Sequence, residues 1–139
     1  MAEAVGLASG LLTLATVAFQ SSIVLYQTLK SFQYHPKHVR DLQDELSDLT
    51  AVLRSLADTI KSTTDIDLSA LTLPLRRCGN TCQEFEQEIV KCASRSGGNR
   101  TSFRDWAKLR YMGDDINGFR QQISSYKATI NISLVDANL

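Results

Sequence analysis

Apolar residues recur along the chain at alternating steps of three and four positions, which is the spacing of helices that bury one face. The clearest segment has a charged opposite face and ends at a stretch of turn composition, KSTTDIDLSA. Its apolar stripe consists of Val39, Leu42, Leu46, Leu49, Leu53, Leu56 and Ile60. The pattern predicts an amphipathic helix with one buried side and one solvated side.

Two later segments repeat this spacing. One opens near Pro74, a favoured residue in a first helical turn, and stops at the loop SRSGGN. Its stripe is Leu75, Cys78, Cys82, Phe85, Ile89 and Cys92. The other follows Thr101 and carries Phe103, Trp106, Leu109, Met112, Ile116, Phe119, Ile123, Tyr126, Ile130 and Leu134. Gly113 and Gly118 are the points where we expect this last helix to kink, because glycine weakens a helix interior.

The first segment differs, because residues 2–32 are apolar on nearly every face and the 26 residues from Ala4 to Leu29 carry no charge. A signal peptide would need a positive amino-terminal region, but Glu3 stands there instead. The strongly apolar part, residues 4–19, is shorter than the roughly 20 residues that span a bilayer. The favoured interpretation is a long, mostly buried first helix.

Gly6 and Gly10 of this first segment form a G-x-x-x-G step, which permits close helix contact in lipid and equally in a soluble bundle. No segment alternates with period two. We therefore predict an all-α fold, an antiparallel bundle of four long helices forming one domain over residues 1–139. The helices are expected near 3–31, 37–61, 73–94 and 102–135. The expected core includes Leu46, Leu49, Leu53, Phe85, Trp106, Ile116, Phe119 and Ile123.

Composition narrows the function. The net charge is zero, which argues against a nucleic-acid partner. The three cysteines, Cys78, Cys82 and Cys92, occupy stripe positions, so we expect reduced, buried thiols rather than metal ligands. His35 and His38 flank Pro36 without further ligands nearby and fit a solvated turn.

Catalytic features are missing from the sequence as well. Asp114 and Asp115 are adjacent, so on a helix their carboxylates diverge and cannot act as a pair. No nucleophile motif or phosphate-binding glycine loop occurs. The sequence therefore predicts a protein that is not an enzyme, with no catalytic, cofactor-binding or metal-binding residues.

A basic cluster surrounds the third loop and is opposed only by Asp105. It comprises Arg95, Arg100, Arg104, Lys108 and Arg110. Such a cluster could contact anionic lipid headgroups or a protein partner, but a solvated loop with ordinary helix pairs is the favoured interpretation.

Three stretches give the chain a family resemblance: MAEAVGLASGLLTLATVAFQSSIVLYQTL, LPLRRCGNTCQEFEQEI and TSFRDWAKLRYMGDDINGF. They resemble the fungal N-terminal domain found on STAND-type (NOD-like) receptors and ankyrin-repeat proteins, over essentially the whole chain. That family is related to HeLo and HeLo-like domains. The resemblance implies a helical bundle at the head of a receptor.

The resemblance also implies a function. Related domains act in regulated cell death, including heterokaryon incompatibility, by oligomerising and damaging the plasma membrane with their N-terminal helix. Here that role falls on Ala4, Gly6, Leu7, Gly10, Leu11, Leu14 and Phe19. The expected partners are further copies of the chain, anionic membrane lipids, and a downstream receptor or ankyrin-repeat region. The expected location is the cytoplasm, with movement to the plasma membrane on activation. The alternative is a soluble adaptor or homotypic interaction domain without membrane activity.

Overall fold

The structure is a computed structural model that describes residues 2–31, 37–62, 67–95 and 114–137. For residues 2–9, 38, 91–95, 114, 115 and 137 it describes the backbone alone. The described residues form four helices: α1 (Ala2–Lys30), α2 (Lys37–Ser62), α3 (Thr72–Arg95) and α4 (Asp114–Ala137). A single 3-10 turn, Ser69–Leu71, leads into α3, and the described residues contain no strand.

The predicted all-α bundle is confirmed, and the first three helices begin and end within one residue of the predicted positions. Their bounds follow from the apolar stripes and from the turn-forming residues between them. The described part of the last helix begins at Asp114 and runs without a break through Gly118, where the kink stays a prediction. The predicted portion before Asp114, with Gly113, lies outside the described residues.

Side-chain pairs give the directions of the helices. Ser22 meets Thr50 and Phe19 meets Arg54, so α1 and α2 are antiparallel. Ser21 meets Gln83 and Thr28 meets Glu86, so α1 and α3 run in the same direction. Within the described chain the backbones of α1 and α4 do not come into contact, and neither do those of α2 and α3. These two pairs therefore lie on the diagonals of the bundle, and α1 lies between α2 and α3.

The core follows the predicted stripes. Every predicted core residue with a described side chain is buried, whereas Trp106 lies outside the described residues. Phe85 of α3 stacks on Phe119 of α4 with 4.3 Å between ring centroids, which joins the two helices. Cys78 and Cys82 are buried free thiols, as expected, while the side chain of Cys92 is not described.

Helix α3 packs against α1 at Gly79, which is buried. A Cβ placed there would lie 3.6 Å from Cγ1 of Val17 and 3.7 Å from the Cα of Ala18. Ala15 and Ala18 are fully buried on the same side of α1. Small residues therefore bring the two helices together at this point.

Candidate functional site

Helix α1 is the candidate functional element, and the expectation that it is mostly buried is wrong. Only 28% of its apolar stretch Gly10–Lys30, of mean hydropathy 1.3, is buried. Because α1 lies at a corner of the bundle between α2 and α3, one side faces the core and the other faces outward. A sequence that is apolar on all faces could not indicate which side is buried.

The two sides of α1 differ in burial and in the residues that they carry. The buried side consists of Leu11, Ala15, Ala18, Ser21, Ser22, Leu25 and Leu29. The exposed positions between residues 10 and 27 are Gly10, Thr13, Val17, Gln20, Val24 and Gln27. These outward residues repeat at steps of three and four and include no charge. The exposed fractions of Val17 and Val24 are 39% and 47%. We call these six residues the uncharged outer face of α1.

The residues predicted to act in membrane insertion occupy different environments. Leu11 is buried in the core, and Leu14 and Phe19 are half-buried against it. Gly10 is exposed, and a Cβ added there would meet nothing within 4 Å. Among the described residues, Gly10 therefore makes no close helix contact, whereas Ala18 and Gly79 do. Ala4, Gly6 and Leu7 belong to α1, but their side chains are not described.

The predicted basic cluster is not brought together by the described residues. Arg95 is the last residue of α3, and its side chain is not described. Arg100, Arg104, Lys108 and Arg110 lie outside the described residues.

Polar side chains attach the C-terminal half of α1 to both neighbouring helices. Gln83 Nε2 of α3 donates a hydrogen bond to Ser21 Oγ at 3.1 Å, and Thr28 Oγ1 donates to Glu86 Oε1 at 3.3 Å. Ser22 Oγ lies 2.9 Å from Thr50 Oγ1 of α2. Sequence reasoning missed these contacts, because a serine in an apolar helix gives no sign of the partner that it meets.

Ser22 has a second hydrogen bond within its own helix. Its hydroxyl donates to the carbonyl oxygen of Phe19 at 2.7 Å, as serine hydroxyls in helices commonly do. If α1 moved away from α2, the Ser22 hydroxyl would therefore still have a hydrogen-bond partner in its own helix. This matters for any environment that lacks water, where each unsatisfied polar group costs several kcal/mol.

The buried thiol of Cys82 is a poor nucleophile and a poor metal ligand. The hydrogen bond between Cys82 and Cys78, then burial and the nearby Cys78 charge, all raise the pKa of Cys82 above its ordinary value. A thiolate, which is the nucleophile and metal ligand, is therefore disfavoured. Across residues 2–31, 37–62, 67–95 and 114–137, no three His, Cys, Asp or Glu residues come together as a metal site would require.

By length and composition, α1 is the one helix of the described chain that could cross a membrane, over Gly10–Lys30. This observation is weak by itself, since the core helix of a soluble protein or a signal sequence has the same properties. In this chain, however, the rest of the bundle buries only part of the apolar helix.

The fold and the properties of α1 define an all-helical bundle with an apolar N-terminal helix. The chain belongs to the family described as the pigment biosynthesis cluster protein PigL N-terminal domain, whose model matches residues 2–139. Membership supports the resemblance to a fungal HeLo-like domain, and it does not extend to the receptor or ankyrin-repeat context. Neither the curated proteins nor the solved structures that were compared with the chain gave a match.

Proposed function

We propose that this domain is a non-enzymatic effector that permeabilises membranes when it oligomerises, with α1 as the inserting element. The observation that carries the proposal is the uncharged outer face of α1, which leaves an apolar helix half-covered in the resting bundle. In this proposal the domain rests in the cytoplasm and acts at the plasma membrane, inducing cell death. An attached receptor would bring several copies to a high effective concentration.

The dimensions of α1 support the proposal. At a rise of about 1.5 Å per residue, the 21-residue stretch Gly10–Lys30 is roughly 31 Å long, close to the ~30 Å hydrocarbon core of a bilayer. On release, the contacts of Leu25 and Leu29 with the core would be replaced by contacts with lipid. The hydroxyl of Ser22 would keep its bond to the Phe19 carbonyl.

The resting contacts of α1 suggest how it is held before activation. Within the described chain, α1 packs directly against α2 and α3, whereas its backbone does not contact that of α4. Release therefore requires α1 to part from two helices and to break the bonds at Ser21 and Thr28.

The test is a leakage assay on vesicles that contain anionic lipid, using the 139-residue chain fused to an oligomerisation tag. Val24→Glu is the informative variant, because Val24 is 47% exposed and the resting fold should accept a carboxylate there. A charge near the bilayer centre costs at least about 2.5 kcal/mol, so leakage should fall at least fiftyfold.

Val90→Glu is the matched control, since Val90 of α3 is similarly exposed at 44% and lies outside α1. We expect this variant to leak vesicles like the unmodified chain. Equal loss of leakage in both variants, or an oligomerised wild-type domain that leaves anionic vesicles intact, refutes the proposal.

The second candidate function is a soluble adaptor, and one observation favours it. Ile132 and Val135 at the end of α4 are 64% and 60% exposed, the highest values among the exposed large apolar side chains of the described residues. Exposed apolar residues of this kind occur at protein–protein contacts. If the domain leaves vesicles intact but self-associates, and Ile132→Ser abolishes that association, the adaptor is the better account.

A further inference from the structure

A groove lies between the C-terminal half of α1 and the middle of α2. Its volume is about 420 Å³ and it is open to solvent. Four residues of each helix line it: Ile23, Tyr26, Gln27 and Lys30 from α1, and Ser47, Thr50, Ala51 and Arg54 from α2. No aspartate or glutamate is among them. The groove is therefore lined by cations, hydroxyls and an amide, together with the apolar side chains of Ile23 and Ala51.

The two cations of the groove are stacked on aromatic rings rather than paired with acids. Lys30 Nζ lies 6.0 Å from the centre of the Tyr26 ring, and the guanidinium carbon of Arg54 lies 5.5 Å from that of Phe19. Within the described chain, neither cation has a carboxylate within ion-pair distance. Their positive charge is therefore not neutralised by these parts of the protein.

The cations of α4 behave differently. Lys127 Nζ lies 3.0 Å from Glu45 of α2, and Arg120 lies 3.8 Å from Asp41. Both are thus used in holding α4 to α2. Arg120 and Lys127 thus stabilise the bundle. Lys30 and Arg54, in contrast, remain available to an anionic ligand at the groove.

The separation of the two cations indicates the kind of ligand. Phe19 and Tyr26 are seven residues apart, so the charges above them lie roughly 10 Å apart along the axis of α1. A single phosphate cannot reach both of them. Two neighbouring phosphates can, as can a phosphate with an adjoining polyol, and both arrangements occur at the surface of a phospholipid bilayer. The hydroxyls of Tyr26 and Ser47 can donate to phosphate or polyol oxygens between the two cations.

We propose that this groove binds the phosphate-bearing headgroups of anionic phospholipids, with Lys30 and Arg54 each holding one anionic group. The inference deepens the proposed function, since it names the membrane component that α1 meets first. It concerns binding by the monomer in its resting fold, whereas the proposed function concerns leakage by the oligomer.

The experiment measures co-flotation of the untagged, monomeric 139-residue chain with vesicles. One set is phosphatidylcholine alone, and the other contains equal parts of phosphatidylcholine and phosphatidylglycerol. A basic residue near an anionic surface contributes about 1 kcal/mol, and 1.4 kcal/mol corresponds to tenfold in affinity. We therefore expect about fivefold weaker binding to the anionic vesicles for Lys30→Gln and about thirtyfold for Lys30→Gln with Arg54→Gln.

The matched control is Arg40→Gln with Lys61→Gln, which changes the net charge equally at two exposed positions of α2 outside the groove. We expect its affinity to stay within about twofold of the wild type. Thermal melting checks the folding of each variant. If the double groove variant melts early, Lys30→Gln alone carries the test, because Lys30 is exposed at the last residue of α1.

Several results would overturn the inference. Equal losses in the groove and control pairs would mean that general charge attraction explains binding. Equal binding of the wild type to both kinds of vesicle, or to neither, would remove the anionic headgroup as the ligand. Competition by soluble glycerol phosphate at the same phosphate concentration as the lipid would make the source a soluble ester. A wild-type domain that binds through the groove but never leaks vesicles would refute the proposed function and leave this inference standing.

Discussion

Helices α1 and α2 lie side by side and antiparallel, yet they are held in the bundle by different kinds of surface. The stripe of α2 is fully buried at Val39, Leu42, Leu46, Leu49, Leu53 and Leu56, and its opposite side is charged. The outward side of α1 has no charge between residues 10 and 27. In lipid, α2 would have to desolvate its aspartates, arginines and lysines, whereas α1 would not. The difference identifies α1 as the helix that can change its environment.

The largest expected effect tests whether the apolar stripe of α2 is more deeply buried than the outer face of α1. Leu49→Ala should lower the free energy of unfolding by about 2–5 kcal/mol, because Leu49 is 0% exposed and its truncation leaves a cavity. Val24→Ala, on the outer face of α1, should change it by no more than about 0.5 kcal/mol. Urea unfolding followed by circular dichroism measures both. Similar losses would mean that the two helices are buried alike.

The next effect tests how tightly α1 rests on α3. Gly79→Leu should destabilise the protein by about 1–3 kcal/mol, because the added atoms would meet the backbone of Ala18. Gly79→Ala is the control, since its Cβ would sit at ordinary contact distances and alanine favours helix by up to about 1 kcal/mol. A leucine tolerated as well as an alanine would show that α1 yields easily at this contact.

These contrasts explain what the sequence could predict. The stripe of α2 predicted its buried residues correctly, because charged residues on the other face leave one arrangement that avoids burying charge. The cysteine and phenylalanine positions of α3 followed from the same logic. For α1 the pattern predicted a helix with the right ends but not its buried side, since no charge marks its outer face.

The contacts of the candidate site were less accessible to sequence reasoning. Lys30 and Arg54 line the same groove because α1 and α2 are neighbours in the bundle. The local pattern of apolar residues in α1 and α2 does not indicate which helices are neighbours. Likewise, Ser22 meets Thr50 only because the two helices are antiparallel with this register. A sequence-based search for charge found the cluster from Arg95 to Arg110 instead, because those residues are close along the chain.

A smaller effect is expected where α1 and α2 share a hydrogen bond. Thr50→Val removes the hydroxyl that meets Ser22 Oγ and should cost about 0.5–1.5 kcal/mol of unfolding free energy. Thr59→Val on the same helix is a suitable control, because Thr59 is similarly half-buried and makes no side-chain bond to another helix within the described chain. Equal costs for the two variants would show that this bond does not help to hold α1.

The smallest effect concerns the charged side of α2, which α1 lacks. Lys127 of α4 pairs with Glu45 at 3.0 Å and with Asp48 at 3.6 Å. Desolvation lowers its pKa, but the hydrogen bond and charge of Glu45, followed by those of Asp48, outweigh this and raise the pKa above the ordinary 10.5. Lys127→Met should therefore cost about 0.2–1 kcal/mol near neutral pH, and less in high salt.

The pH dependence of this cost follows from the direction of the pKa shift. Because the folded state holds the proton of Lys127 more tightly than the unfolded state does, the contribution is complete below pH 10.5 and declines as the pH rises above it. The unfolding free energies of the wild type and Lys127→Met should therefore converge in strongly alkaline solution. Lys61→Met, at an exposed lysine of α2 without an ion pair in the described chain, is the control and should change the unfolding free energy near neutral pH by no more than about 0.5 kcal/mol. A difference between wild type and Lys127→Met that persists unchanged above pH 10.5 would show that packing of the lysine stem, rather than its charge, joins α4 to α2.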